Sequence, residues 1–224
     1  MQKILASVLV VLALFCAAAA QTKISATQHF VPPDITSATD IAYPMDNIAS
    51  GLVSLQVSLT AAGQVENVLA VRDIPGLTAR AISAVTSWTF TPAKIDGQAV
   101  ESTINVQVVF NPGGPQNQNL RLTPAGPVPD PNPPGYLPPA LSQISFATYP
   151  PNSIAQGAVV LDLHIDKSGQ IKKPSPIRAI PSLTEAAIAA AKSWSVNPAK
   201  LNDKPESANL AVAFVFRSPT ISNP

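Results

Sequence analysis

The sequence has few of the residues on which metal binding and covalent catalysis depend. It holds one cysteine and two histidines, and charged residues make up only 12% of the chain. Cys16 lies in the N-terminal segment 1–20, so a chain cleaved after that segment has neither a disulfide nor thiol chemistry. His29 and His164 stand far apart, whereas a metal site needs several ligands. With no phosphate loop and no dinucleotide fingerprint either, we expect no metal and no cofactor.

Residues 1–20 have the pattern of a secretory signal peptide. Lys3 precedes the apolar run "ILASVLVVLALF", and small residues come before Gln21. The frame of Ala18 and Ala20 predicts cleavage near Ala20. The run is also shorter than the roughly 20 residues that a transmembrane helix needs. We therefore expect an exported protein of the periplasm or cell envelope, and the alternative is a segment kept as an anchor.

The remaining chain has no net charge. Of the 14 Lys and Arg residues, 13 remain without Lys3, against 13 Asp and Glu residues. Such a chain has no positive field that would attract nucleic acid, so we expect no nucleic-acid partner. His164 shares the outward face of a predicted strand with Asp162 and Asp166, and Ser168 follows. A surface strand neither orients nor shelters a catalytic base, so we expect no enzyme.

Both tryptophans belong to a long internal duplication. "WTFTPAK" begins at Trp88 and "WSVNPAK" at Trp194, 106 positions later. The same offset aligns residues 43–110 with 149–216 without a gap, and 25 of the 68 positions are identical. The predicted order is a signal peptide (1–20), an N-terminal extension (21–42), repeat 1 (43–110), a linker (111–148), repeat 2 (149–216) and a C-terminal tail (217–224). The duplication indicates two copies of one small domain.

The linker is rich in proline and glycine. Residues 111–140 contain ten prolines and four glycines. Because proline cannot donate a backbone hydrogen bond, we expect this stretch to be extended and to bury little. It is predicted to be a spacer, and the alternative is a ligand for a proline-recognition domain.

Each repeat predicts the same series of elements. "GLVSLQVSL" alternates apolar and polar residues, as expected of a strand with one buried face, and Gly63 or Gly169 follows in a hairpin turn. The second strand of repeat 2 contains Pro174 and Pro176, so it should lie at a sheet edge or be broken. A helix comes next. In repeat 2, Ser182 and Glu185 have capping-box spacing.

A closing strand ends each repeat. The helix is predicted to carry an apolar stripe that ends at Trp88 or Trp194, and a short helical turn is expected near residues 43–51. Three strands with helices on one face are the economical packing. The predicted fold class is therefore α+β, with two small domains, each a three-stranded antiparallel sheet with one long and one short helix on one face. The predicted structural core residues are Trp88, Trp194, Tyr43 and Tyr149.

The ordered motifs resemble the TonB C-terminal domain family. In repeat 1 they are Tyr43-Pro44, Gly51, Gly63, Trp88, Pro92-Ala93, Asp96-Gly97 and Phe110, and repeat 2 keeps all but the Asp-Gly pair. The resemblance implies a small α+β domain that couples inner-membrane energy to outer-membrane transporters. It also implies that the edge of the last strand binds an extended peptide. The physical basis is β-strand addition, in which free backbone groups of an edge pair with another chain.

The sequence departs from the energy-transducing members. Their N-terminal helix is uncleaved, and their proline-rich spacer precedes the domain instead of joining two domains. They carry a Gln, implicated in gripping the transporter peptide, three residues before the Tyr-Pro pair, where this sequence has Asp40 and Phe146. The resemblance therefore supports the fold more strongly than the energy-coupling role.

Two hypotheses for function follow. The first is an exported protein-binding module whose partner is a protein or peptide, for example an outer-membrane transporter segment, or the other repeat. Its predicted binding edges are Ile104, Asn105, Val106, Gln107, Val108, Val109 and Phe110, and Leu210, Ala211, Val212, Ala213, Phe214, Val215 and Phe216. The alternative is a scaffolding protein of the cell envelope, with two self-associating domains and no energy-transducing role. Arg72, Arg178, Lys94 and Lys200, shared by both copies, either bind an acidic partner or pair locally.

Overall fold

The computed structural model describes residues 28–44, 47, 49–111, 119–123 and 135–218. The predicted signal peptide, residues 112–118 and 124–134 of the linker and most of the C-terminal tail lie outside these residues. The described part is built mainly of strands, with two helices. This composition agrees with the expected α+β class.

The first half contains eight strands and one helix. They are β1 (Phe30–Val31), β2 (Asp34–Ser37), β3 (Gly51–Leu59), β4 (Val65–Arg72), α1 (Thr78–Val85), β5 (Thr89–Thr91), β6 (Ala93–Ile95), β7 (Gln98–Val100) and β8 (Ser102–Asn111).

After β9 (Asn119–Arg121), the second half repeats this order. Its elements are β10 (Tyr136–Leu137), β11 (Ala140–Ser145), β12 (Gly157–Ile165), β13 (Ile171–Arg178), α2 (Thr184–Lys192), β14 (Ser195–Asn197), β15 (Ala199–Leu201), β16 (Lys204–Glu206) and β17 (Ala208–Phe216).

The long strands of both halves form one sheet. Its order is β13-β12-β17-β8-β3-β4, so each repeat contributes three antiparallel strands. The two closing strands, β8 and β17, lie side by side at the centre and run parallel. The expectation of two separate three-stranded sheets is therefore corrected to a single six-stranded sheet.

The two helices lie on opposite faces of this sheet. Cross-strand neighbours share a face, and Ala213 is paired with Val108, while Phe214 is paired with Val109. Val108 and Ala213 belong to the core cluster under α1. Val109 and Phe214 belong to the cluster under α2. The halves are therefore related by a pseudo-two-fold rotation about an axis along the strands, which keeps strand direction and exchanges faces.

The duplicated structural unit is longer than the sequence repeat. β1 pairs with β6 through Phe30 and Ile95, and β10 pairs with β15 through Tyr136 and Leu201. β2 and β11 pair in the same manner with β5 and β14. Part of the N-terminal extension and the end of the linker therefore belong to the two domains. The rings of Phe30 and Tyr136 meet with centroids 4.7 Å apart.

The two hairpin glycines have the expected conformation. Gly63 has a φ of 78° and Gly169 a φ of 83°, values that favour glycine. A Cβ atom at Gly63 would lie 2.4 Å from the carbonyl oxygen of Phe90, and one at Gly169 would lie 2.3 Å from that of Val196. Both the turn and the close approach of β5 or β14 therefore require glycine.

The helix starts differ from the sequence prediction. The capping box expected at Ser182 does not form. α2 begins at Thr184, whose hydroxyl accepts a hydrogen bond from the N–H of Ile180 at 3.0 Å. Ser182 instead meets the hydroxyl of Ser153. α1 begins in the same way, because Thr78 accepts from the N–H of Ile74. One threonine in the first turn thus replaces the predicted Ser and Glu pair.

The predicted aromatic core residues lie close to the closing strands. Trp88 and Trp194 are buried and stand just after the ends of their helices, not within the last turn. Tyr43 and Tyr149 are half-buried. The ring of Tyr43 packs edge-on against Phe110, with centroids 5.4 Å apart. The expected second, short helix is absent from the described residues, and in repeat 2 that stretch holds only a turn.

Candidate functional site

The closing strands are not free edges. Every residue predicted to bind a partner lies in β8 or β17, at the centre of the six-stranded sheet. β8 pairs with β3 on one side and β17 on the other, and β17 pairs with β12 on its second side. Of the partners predicted for Ile104–Phe110 and Leu210–Phe216, the structure has the other repeat, because the two strands pair with each other. They are therefore not open edges for a separate peptide.

The outward-facing residues of β17 explain this pairing. Ala211, Ala213 and Val215 are fully buried in the cluster under α1. Leu52 and Val109 of repeat 1 are likewise buried in the cluster under α2. Each repeat therefore buries apolar side chains on both faces of its own strands. The side chains on the face away from its own helix are removed from water only when the two sheets join.

A sheet of six strands has two remaining edges, and β13 is one of them. Pro174 and Pro176 keep their pairing register with β12, opposite Leu163 and Leu161. A proline is tolerated in an edge strand where its missing N–H would face away from the neighbouring strand. Lys172 and Lys173 precede the two prolines. Proline and lysine both discourage another strand from pairing, so this edge is protected.

The other edge, β4, has the same register without that protection. Val68 and Ala70 stand opposite Val57 and Leu55, at the positions that Pro174 and Pro176 take in β13. β4 contains neither proline nor lysine, and the Leu69 side chain is 42% exposed. Among the described residues, β4 pairs only with β3. The sequence prediction missed this edge, although the two copies differ there: Val68 and Ala70 of repeat 1 correspond to Pro174 and Pro176 of repeat 2.

Polar contacts reinforce the junction of the halves. Asp40 accepts a hydrogen bond from the N–H of Ala158 at 2.7 Å and forms an ion pair with Arg178 at 3.2 Å. Asp40 stands three residues before the Tyr-Pro pair, where the family resemblance implies a Gln. In this chain its carboxylate therefore holds the start of β12 against repeat 1. The counterpart in repeat 2, Phe146, instead packs against the core under α2.

A second contact brings two carboxylates together. The side-chain nitrogen of Asn209 donates to Asp34 at 2.8 Å and to Asp162 at 3.1 Å. Burial raises the pKa of Asp162 to about 7, and the neighbouring Asp34 carboxylate adds to the rise. His164 contacts the oxygen of Asn209 at 2.9 Å. This cluster joins the N-terminal strand β2 to the outer face of β12 and β17.

Ser168 and Arg72, two of the remaining polar candidates, have partners within the chain. Ser168 donates to Asp166 at 2.6 Å, so it is not linked to His164. The Ser168 hydroxyl and the N–H of Gln170 lower the pKa of Asp166. Arg72 donates to the carbonyl oxygen of Thr123. Lys94 and Lys200 are exposed, in β6 and β15. Within the described ranges, no group of His, Cys, Asp or Glu has metal-site geometry.

Comparison with known families identifies the repeated unit. The model of the family described as Gram-negative bacterial TonB protein C-terminal matches residues 41–112 and 147–218, more than half of the chain. No curated protein and no solved structure matches the chain. In the described part of the chain, no helix is long and apolar enough to cross a membrane. The chain belongs to the TonB C-terminal family, as a TonB-like envelope protein with two tandem copies of the domain.

Proposed function

We propose that this chain is an exported protein-binding module that docks an extended segment of a partner protein along the β4 edge. Its two domains hold each other through β8 and β17, and we propose no catalytic role. The observation that carries the proposal is the parallel pairing of the closing strands. That pairing uses the edge on which a lone domain of this family would receive a peptide.

The choice of β4 rests on the contrast with β13. The two strands have the same register, but β4 has backbone N–H donors at Val68 and Ala70, where β13 has Pro174 and Pro176. An added strand would find a row of unpaired N–H and C=O groups there, with the exposed Leu69 side chain beside them. Backbone pairing is largely independent of sequence, so Leu69 and its neighbours would supply the selectivity.

Family membership suggests the kind of partner. TonB C-terminal domains act on outer-membrane transporters, which present extended segments in the periplasm. We propose that the partner segment belongs to such a transporter, and that the energy-coupling role is absent because the closing strands are occupied. The predicted cleavable signal peptide supports an exported location.

A second candidate function is scaffolding of the cell envelope. It is favoured by the ion pair and hydrogen bond of Asp40 and by the Phe30–Tyr136 contact, which join the two domains. In that case the pairing of the repeats would be the purpose of the duplication, and β4 would bind no partner. The two functions differ in whether the β4 edge binds a partner protein, which can be measured.

The test places a photo-crosslinking amino acid at Leu69 of the full chain in Gram-negative cells. The matched control places it at Ser175, the same position of β13. We expect adducts with an outer-membrane transporter from position 69 and few from position 175. A second variant, Val68→Pro with Ala70→Pro, copies the register that β13 tolerates. It should fold and lose the adducts at position 69.

Two outcomes separate the proposals. Equal adducts at both positions, or adducts that survive the paired prolines, would contradict docking at β4. Adducts only between copies of this chain would instead favour the scaffold. The reverse change, Pro174→Val with Pro176→Ala, should create a second docking edge and increase crosslinking from position 175.

A further inference from the structure

A polar cavity lies on the outer face of repeat 1, away from its helix. Its floor is formed by β3 and β8, and its wall by β11, residues 122–123 and the end of β4. The volume is about 290 Å³. That is near the lower end of the roughly 300–1,000 Å³ typical of small-molecule sites. The cavity therefore suits a ligand the size of a monosaccharide and not a folded partner.

The lining is rich in hydroxyl and carboxamide groups. The residues that carry them include Ser54, Gln56, Asn105, Gln107 and Ser142. Gln107 is only 5% exposed, and its oxygen accepts a hydrogen bond from the Ser54 hydroxyl at 2.7 Å. Its side-chain nitrogen has no partner among the described residues. This nitrogen is not one of the buried side-chain atoms that lack a partner, so it faces the open space of the cavity, where it can donate to a ligand.

The pseudo-two-fold related position in the other half is packed instead. Ser54, Asn105 and Gln107 correspond to Val160, Ala211 and Ala213, all of which are fully buried. Ile35 of β2, itself only 3% exposed, belongs to the same apolar cluster. The fold can therefore fill this position with apolar side chains, but repeat 1 keeps it open and polar.

The charge of the cavity lining favours a ligand with a negatively charged group. Arg72 is the only charged residue among the described residues that line the cavity. One of its N–H groups donates to the Thr123 carbonyl at 2.8 Å, which leaves other guanidinium donors for a ligand. Together with the nitrogen of Gln107, these donors favour a carboxylate. The carboxamides of Gln56 and Asn105 each offer a donor and an acceptor, which matches hydroxyl groups.

We propose that this cavity binds a small polyhydroxylated carboxylate, such as a sugar acid. The carboxylate lies toward Arg72 and the side-chain nitrogen of Gln107. Ligand hydroxyl groups meet Gln56 and Asn105. Val71 and Arg72 at the end of β4 line the cavity, but the proposed docking positions Val68, Leu69 and Ala70 do not, so its occupancy does not require a protein partner.

The experiment titrates the full chain with D-glucuronate, and with D-glucose as the neutral match. NMR spectra follow the side-chain amide signals of Gln56, Asn105 and Gln107. We expect saturable shifts with glucuronate and affinity about tenfold weaker for glucose, the size expected of a hydrogen bond to a charged group. Arg72→Gln should remove that preference. Ser54→Val with Asn105→Ala and Gln107→Ala, which copies repeat 2, should abolish the shifts.

Each contrary result overturns the proposal. Absence of saturable shifts with glucuronate excludes a sugar-acid site. Shifts that persist unchanged in the triple variant place the ligand elsewhere. Equal affinity for glucose and glucuronate in the unaltered chain removes the role of Arg72. If the triple variant fails to fold, Arg72→Gln alone still decides, because it lies at the end of an edge strand and leaves the buried face unaltered.

Discussion

The two halves of the sheet have one backbone plan and two different outer surfaces. β4 and β13 share their register, yet β13 carries prolines where β4 carries Val68 and Ala70. On the outer face, repeat 2 presents Ala213 to an apolar core, whereas repeat 1 presents Gln107 to a cavity. Duplication therefore supplied a stable pair, and the difference between copies assigns packing to repeat 2 and open surfaces to repeat 1.

The largest expected effect tests this division at the centre of the sheet. Ala213→Glu places a carboxylate among fully buried apolar side chains. Burying a charge without a partner should cost about 4 kcal/mol or more of unfolding free energy, measured by urea denaturation of the full chain. The matched change, Gln107→Glu, faces the polar cavity and Arg72, so it should cost about 2 kcal/mol or less.

Similar losses for the two variants would contradict the assignment. They would mean either that the outer face of repeat 2 is solvated or that the cavity of repeat 1 is closed. Far-ultraviolet circular dichroism of both variants before denaturation checks that the comparison starts from folded protein.

Much of each repeat could be predicted from the sequence. Alternation predicted β3 and β12, glycine predicted both hairpin turns, and proline predicted an edge at β13, because these patterns act within a few residues. The two buried tryptophans followed from the helical stripe. These features are determined locally, by side-chain period and by backbone freedom.

The union of the two sheets was missed, although β17 contained a signal for it. "LAVAFVF", residues 210–216, is apolar at every position, which is typical of a strand buried on both faces. The predicted docking edge at Leu210–Phe216 requires an accessible strand, whereas Ala211, Ala213 and Val215 are packed under α1. A strand with one solvated face would alternate apolar and polar residues. The prediction of an open edge did not account for the apolar residues on the second face of this strand.

The contacts of Asp34 and Asp40 could not be predicted in this way. Both residues reach across to repeat 2, and their partners are set by how the two domains rotate onto each other. The repeat itself could have been extended, because Pro32-Pro33 and Pro138-Pro139 share the offset of 106. Those prolines lie directly before β2 and β11, and they mark the two strands as equivalent.

The next effect in size concerns pH and again separates the halves. The pKa of Asp162 is raised from its ordinary value of 3.8 to about 7, by burial and by Asp34. The folded state therefore binds the proton more tightly than the unfolded state. Its stabilising contribution is complete below about pH 3.8 and is lost as the pH rises through about 7. Gln56, the counterpart in repeat 1, carries no charge and adds no such dependence.

Asp162→Asn should therefore flatten the decrease in stability between about pH 4 and pH 7, measured by urea denaturation at a series of pH values. Asp34→Asn should reduce the decrease without removing it, because burial is the larger cause of the shift. An unchanged pH profile in Asp162→Asn would show that another group is responsible.

The smallest expected effect distinguishes the two tryptophans. The indole N–H of Trp194 donates to the Ser145 carbonyl at 2.9 Å, whereas that of Trp88 is buried without a partner among the described residues. Phenylalanine keeps most of the ring burial and removes the donor. Trp194→Phe loses a hydrogen bond, while Trp88→Phe removes a donor whose burial was already costly, so the first should cost about 1 kcal/mol more.

Urea denaturation of the full chain measures this difference, and the two alanine variants provide the control. Trp88→Ala and Trp194→Ala should each cost about 3–5 kcal/mol, because both rings are almost fully buried. If the alanine pair differs by as much as the phenylalanine pair, ring packing and not the N–H group accounts for the contrast. If Trp88→Phe is the costlier phenylalanine variant, its indole has a partner outside the described residues. The halves would then be more alike at this position than their contacts indicate.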